Sequence, residues 1–157
     1  MLAASATTLP MFVAVSACRG PAVLAGPPPL SPDVRVLFAA VTAEENLVSL
    51  YTRTLTAYSA LAPTLSPLLA EHWAHLAQLR ARIIEPAGKT VPEKVTSRPP
   101  IPVTRSAAVA QLRTAEQDAV TAQLRRLAGA SPSLAQLYAS IAASEATHVS
   151  VLGPGAG

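Results

Sequence analysis

Cysteine, aromatic residues and charge are all scarce in this chain of 157 residues. With one cysteine, no internal disulfide can hold the fold together. Aromatic residues make up 4% of the chain and charged residues 13%, while half is hydrophobic. This composition favours an all-α bundle rich in Ala, Leu and Val over a β-sandwich or a Rossmann fold. The net charge is only +3 and the Arg and Lys residues are scattered, so we expect no nucleic-acid binding.

The single cysteine, Cys18, follows a short apolar stretch that ends in Val15-Ser16-Ala17. This arrangement resembles a bacterial lipobox, in which the signal peptide is cut before a cysteine that carries the lipid. We therefore predict a lipoprotein-type signal peptide over 1–17, lipidation of Cys18, and export to the outer face of the cytoplasmic membrane. No Lys or Arg precedes Cys18, and the alternative is an apolar N-terminus with an incidental cysteine.

The rest of the chain divides into a tether, one helical domain and a tail. Residues 18–30 include three consecutive prolines and predict an extended, Pro-rich tether. Ser-Pro pairs, which favour helix starts, occur at Ser31, Ser66 and Ser131, and a fourth helix is predicted to begin near Thr104. The predicted helices end before Pro63, at Ile83, near Gly129 and at Leu152. Residues 31–153 thus predict an up-down-up-down four-helix bundle with a long loop at 85–103, and 154–157 a disordered tail.

The last helix carries polar residues within its apolar stripe. Steps of three and four residues place six side chains on one face: Leu134, Tyr138, Ile141, Glu145, His148 and Leu152. Burying an unpaired charge costs several kcal/mol. Glu145 and His148 therefore need buried partners or a cation.

The other three helices repeat this feature. Glu44 interrupts a stripe of Val, Leu and Tyr in helix 1, and Glu116 interrupts an apolar stripe in helix 3 that we predict to continue through Val120, Leu124 and Leu127. Helix 2 carries His72 and His75. A rise of about 1.5 Å per residue places these groups near one level, if residues 63–66 are extended.

One Glu on helix 1, one on helix 3 and Glu-x-x-His on helix 4 form a pattern similar to the ferritin-like di-iron or di-manganese carboxylate bundles. The chain also resembles exported ferritin-like domains of actinobacteria. The resemblance implies oxygen ligands from Glu44, Glu116 and Glu145, and nitrogen ligands from three histidines: His72, His75 and His148. It implies Fe or Mn as cofactor, with Zn also compatible, and oxidation of Fe(II) by O₂ or peroxide if the site is redox-active. Tyr51, seven residues after Glu44, matches a ferritin feature and is the redox candidate.

Helix 2 departs from the family pattern. The expected Glu-x-x-His appears as His72-x-x-His75, with Glu71 shifted by one position. Glu45 and Glu71 are substitute ligands that could complete four carboxylates, and metal stoichiometry and catalysis stay open. The alternative function is a metal-free bundle that serves as an envelope scaffold or interaction module, in which the same residues form a hydrogen-bond network. The membrane, through Cys18, is the one partner that the sequence indicates.

Overall fold

The computed structural model describes residues 32–83, 98–153 and 156, and this part of the chain contains helices and no strand. It forms four α-helices: α1 (Pro32–Ala57), α2 (Ala62–Arg80), α3 (Arg105–Leu127) and α4 (Pro132–Val151). A 3-10 turn, Ser59–Leu61, joins α1 to α2. The predicted all-α class and the number of helices are confirmed for these residues.

Several predictions fall outside the described residues. They concern the signal peptide, the lipidation of Cys18, the tether, and most of the loop between α2 and α3. Of the predicted tail, Ala156 is described, and it packs against a cluster of buried apolar residues. No helix in the described ranges combines the length and apolarity needed to cross a bilayer.

The boundary between the first two helices differs from the prediction. We expected helix 1 to continue to Ala62 and helix 2 to start at Ser66, but α1 ends at Ala57 and α2 begins at Ala62. Pro63 lies in the first turn of α2, where its missing N–H would have had no intrahelical partner. Pro67 lies inside α2, whose flanking Leu65 and Leu68 are buried. Two prolines offered two possible starts, and the earlier one is used.

Each helix packs against two others, with α1 and α4 both contacting α2 and α3. Apolar clusters lie at the two ends of the bundle. The first cluster joins the start of α1, the ends of α2 and α3 and the start of α4, through Leu37, Leu79, Leu127 and Leu134. The second cluster joins the opposite ends of the same helices, through Tyr51, Leu65, Leu112 and Leu152.

The two clusters show that α2 and α3 run in the same direction. The predicted up-down-up-down order is therefore wrong, and the order is up-down-down-up. The described ends of the connection between α2 and α3 lie at opposite ends of the bundle. Ile83 packs against the first cluster, whereas near the second cluster Arg53 Nη2 donates to Pro99 O at 2.6 Å and Tyr58 O–H to Pro102 O at 2.7 Å. Helical periodicity fixes the face a helix buries but not its direction, and a long connection permits either direction.

The buried face of α3 also differs from the predicted one in its second half. Val109, Leu112 and Glu116 are buried as expected, but the face continues at Ala119 and Gln123. The predicted Leu124 is instead 53% exposed. The alternation of three- and four-residue steps continues unbroken through Gln123, whose side chain accepts a hydrogen bond from Arg126. Helix geometry therefore outweighs the hydrophobicity of a single leucine.

This register predicts very different costs for two leucine truncations in α3. Leu112→Ala, at a fully buried site, should lower the free energy of unfolding by about 2–5 kcal/mol because it leaves a cavity. Leu124→Ala should cost less than about 1 kcal/mol. Urea unfolding of both variants measures the difference. Equal losses would contradict the observed register.

Candidate metal centre

A layer of acidic and imidazole side chains lies between the two apolar clusters. All six predicted ligands are in it and are at most 8% exposed. We call these residues the Glu/His cluster: Glu44 from α1, His72 and His75 from α2, Glu116 from α3, and Glu145 and His148 from α4. Because α1 ends earlier and α2 begins earlier than predicted, Glu44 and His72 lie at similar distances from the turn that joins their helices. The extended descent expected over residues 63–66 is not needed, and these residues are helical.

His72 is at the centre of the Glu/His cluster. Its Nδ1 lies 3.0 Å from Glu44 Oε2, and its Nε2 lies 2.8 Å from Glu116 Oε1. Ionised carboxylates only accept hydrogen bonds, so without a cation both contacts require a proton on each ring nitrogen. Burial lowers the pKa of His72, but the hydrogen bonds and charges of Glu116 and Glu44 outweigh it and raise the pKa to about 9. Without metal, a charged imidazolium therefore joins the two carboxylates.

Glu116 is the most heavily hydrogen-bonded acid. Its Oε1 accepts from the Tyr51 hydroxyl at 2.5 Å and from His72, and His148 Nδ1 lies 3.3 Å away. Burial would raise the pKa of Glu116, but the bonds with His148 and His72 lower it to about 2. The pKa of Tyr51 is strongly raised by burial and by the Glu116 charge, so the phenol keeps its proton and donates it. Tyr51 thus holds a predicted ligand in place.

Five oxygen and nitrogen atoms of the Glu/His cluster, all of types that bind metal ions, are buried without a hydrogen-bond partner. They are Glu44 Oε1, Glu116 Oε2, both carboxylate oxygens of Glu145, and His75 Nδ1. Buried polar atoms are nearly always paired, and such exceptions point to a water or an ion. Burial lowers the pKa of His75, which leaves a neutral ring. Burial comes first among the causes that raise the pKa of Glu145 to about 9, followed by the charge of Glu44, a hydrogen bond that protonated Glu145 donates to Glu44, and the charge of Glu116. At neutral pH Glu145 therefore holds a proton unless a cation replaces it.

The donor atoms form two overlapping groups of three. In the first donor group, Glu44, His72 and His75 each offer an atom within 4.8 Å of the others, and in the second donor group His72, Glu116 and His148 do the same. Ligand atoms about 2.1 Å from one ion are about 3.0 Å apart at right angles. The contacts inside the two groups, 2.8 to 3.7 Å, are therefore close to ligand spacing. The donor set fits a cation, although Glu145 belongs to neither group.

The two substitute ligands have different surroundings. Glu71 is half-exposed at the edge of the cluster, where Oε2 lies 3.0 Å from His148 Nε2 and accepts from Ser144 Oγ at 2.6 Å. These contacts lower the pKa of Glu71, with the Ser144 bond first. A carboxylate on the second nitrogen of a ligating histidine commonly orients the ring. Glu45 is exposed and pairs with Arg80 at 2.6 Å, outside the cluster. The sequence analysis did not identify Ser144, because a serine on the polar face of a helix gives no sign that it contacts another helix.

Oxygen and nitrogen donors of this kind suit Fe, Mn and Zn and leave the choice among them open. The chain matches no protein-family model, and comparison with curated proteins and with solved structures gives no match either. The functional assignment consequently depends on the geometry of the Glu/His cluster.

The metal-free protein should lose stability as the pH rises from about 6.5 to 9. The folded chain retains protons on His72 and Glu145 up to a pKa of about 9, whereas the unfolded chain releases them near 6.5 and 4.3. Folding then takes up protons, so the stabilisation from Glu145 is lost from about pH 4.3 upward and that from His72 from about pH 6.5 upward. Each group should lower the free energy of unfolding by roughly 3 kcal/mol between pH 6.5 and 9. At the acid end, Glu116 reverses the sign, because its stabilisation is lost as the pH falls toward 2.

Urea unfolding with a chelator at several pH values tests this expectation. Glu145→Gln should make the loss above pH 6.5 shallower, whereas Glu45→Gln, at the exposed neighbour of Glu44, should leave it unchanged. A stability that is flat between pH 6.5 and 9 would show that the cluster does not hold these protons.

Proposed function

We propose that this chain is a metal-binding, ferritin-like four-helix bundle whose Glu/His cluster holds Fe or Mn, with Zn also compatible. The observation that carries the proposal is the convergence of five unpaired donor atoms in one buried layer. A cation would give these atoms partners, and it would let Glu145 lose the proton that it holds without metal.

The path of the chain also supports a ferritin-like assignment. Ferritin-like folds have one long crossover connection, and their metal ligands project inward from all four helices. Here the end of α2 and the start of α3 lie at opposite ends of the bundle, as a crossover between them requires, and each helix contributes at least one member of the Glu/His cluster. The departure is on α2, where His72 takes the place of a carboxylate.

A redox role would depend on iron or manganese. A bound iron or manganese would supply one-electron chemistry toward O₂ or peroxide. The chain itself contributes apolar surroundings that exclude water, and it contributes Tyr51. The Tyr51 hydroxyl donates to Glu116, and its ring centroid lies 5.0 Å from that of His72. This contact makes Tyr51 the residue through which the protein could exchange an electron with the centre.

One observation favours the alternative, a metal-free scaffold or interaction module. His72 already pairs with Glu44 and Glu116 through both nitrogens, so a protonated ring neutralises part of the buried negative charge. Such a network would fix the register of the helices without metal. It requires the buried Glu145 to keep a proton beside Glu44, and it leaves Glu116 Oε2 and His75 Nδ1 without hydrogen bonds. For this reason we favour the metal site.

The proposal includes a tether to the outer face of the cytoplasmic membrane through lipidated Cys18. Its support is the apolar stretch that ends in Val15-Ser16-Ala17 before the cysteine. Incorporation of labelled palmitate into the full chain, and its loss in Cys18→Ser, would test the lipid.

Metal analysis of two neighbouring variants tests the central proposal. Wild-type chain dialysed against Fe(II) or Mn(II) without oxygen should retain metal, and Glu44→Gln should lose most of it because it removes a buried ligand. Glu45→Gln is the matched control, since its side chain is exposed and pairs with Arg80. Chelation should lower the melting temperature of wild type and Glu45→Gln, because metal that binds the folded state stabilises it.

Circular dichroism of each variant separates lost ligation from lost folding. Near-zero metal in wild type, with a melting temperature that chelators do not change, would support the metal-free scaffold instead.

A further inference from the structure

We propose that His72 bridges two cations, with Nδ1 binding one in the first donor group and Nε2 binding another in the second. The inference rests on the proposed function, because it requires that the Glu/His cluster binds metal. It adds a stoichiometry of two ions and a ligand type that joins them.

The geometry of the imidazole ring allows one ion to bind only one of the two nitrogens of His72. The lone pairs of the two ring nitrogens diverge, so a single cation cannot bind both. In this bundle each nitrogen faces a carboxylate from a different helix, Glu44 from α1 on Nδ1 and Glu116 from α3 on Nε2. His72 is the one residue that belongs to both donor groups.

A further histidine lies near each of the two carboxylates that contact His72. His75 Nδ1 lies 3.7 Å from Glu44 Oε1, and His148 Nδ1 lies 3.3 Å from Glu116 Oε1. Each donor group therefore combines one carboxylate, one nitrogen of His72 and one further imidazole. Glu44 is also the acid whose charge and hydrogen bond raise the pKa of Glu145 most, so we assign Glu145 to the side of the first donor group.

Charge balance supports the same assignment. Two divalent cations carry four positive charges, and the fully buried acids, Glu44, Glu116 and Glu145, supply three negative ones. A His72 ring that has released both ring protons to solvent is an imidazolate and supplies the fourth. The layer is then neutral without a fourth buried carboxylate, and Glu71 can remain half-exposed at the edge as a partner of His148.

Titration of the full chain with Cu(II) tests the bridge, because an imidazolate couples the spins of two Cu(II) ions. A Cys18→Ser background removes the only thiol, and no histidine lies outside the cluster. We expect two Cu(II) per chain and an electron paramagnetic resonance signal at low temperature well below that of two independent ions. Adding Zn(II) as a second probe should give two ions per chain by direct metal analysis.

Three variants assign the two positions. His75→Gln and His148→Gln should each reduce the stoichiometry from two ions to one, because each removes a ligand from a different donor group. His72→Gln should abolish the coupling, and Glu45→Gln should behave like wild type.

The outcomes separate this inference from the proposed function. Absence of bound metal would end both. One ion per chain, or two ions whose signal equals that of independent Cu(II), would overturn the bridge while the metal site remained. The wild-type spectrum alone decides between these results, so the test does not depend on the folding of His72→Gln.

Discussion

The burial of three carboxylates in one dry layer is the constraint on which the rest of this structure depends. Ionised acids that are removed from water need opposite charge at short range. His72 provides part of it, because it lies between Glu44 and Glu116 and contacts both. The remaining negative charge, above all that of Glu145, is neutralised by a proton or by a cation. The chemistry of the layer follows from this competition between protons and metal.

The two apolar clusters stabilise the fold and so offset the cost of burying this polar layer. Leucines at both ends of the bundle exclude water and hold the four helices at a fixed separation. The polar layer between them gains little stability without metal, since it contains unpaired buried atoms. Natural sites often keep such locally unfavourable groups for function. Stability and chemistry are thus separated along the length of the bundle.

The largest errors in the sequence prediction concern quantities that periodicity does not encode. The direction of α3 depends on where the connection after α2 leads. Nothing in the composition of residues 81–104 distinguishes a connection that stays at one end of the bundle from one that crosses to the other end. The start of α2 depended on a choice between Pro63 and Pro67, which both suit a first turn. In α3, hydrophobicity favours Leu124 as the buried residue, whereas the helical alternation of three- and four-residue steps places Gln123 inside.

The sequence by itself determined that this chain is helical and which polar residues face its core. Steps of three and four residues place Glu44 and Glu145 among apolar neighbours, and that spacing follows from the 3.6-residue turn of any helix. Only the tertiary structure decided which of these residues contact one another. It put both nitrogens of His72 against carboxylates from two helices, left Glu45 with Arg80 at the surface, and brought Glu71 to His148. These contacts depend on the relative depth, rotation and direction of separate helices, which packing sets and local spacing does not.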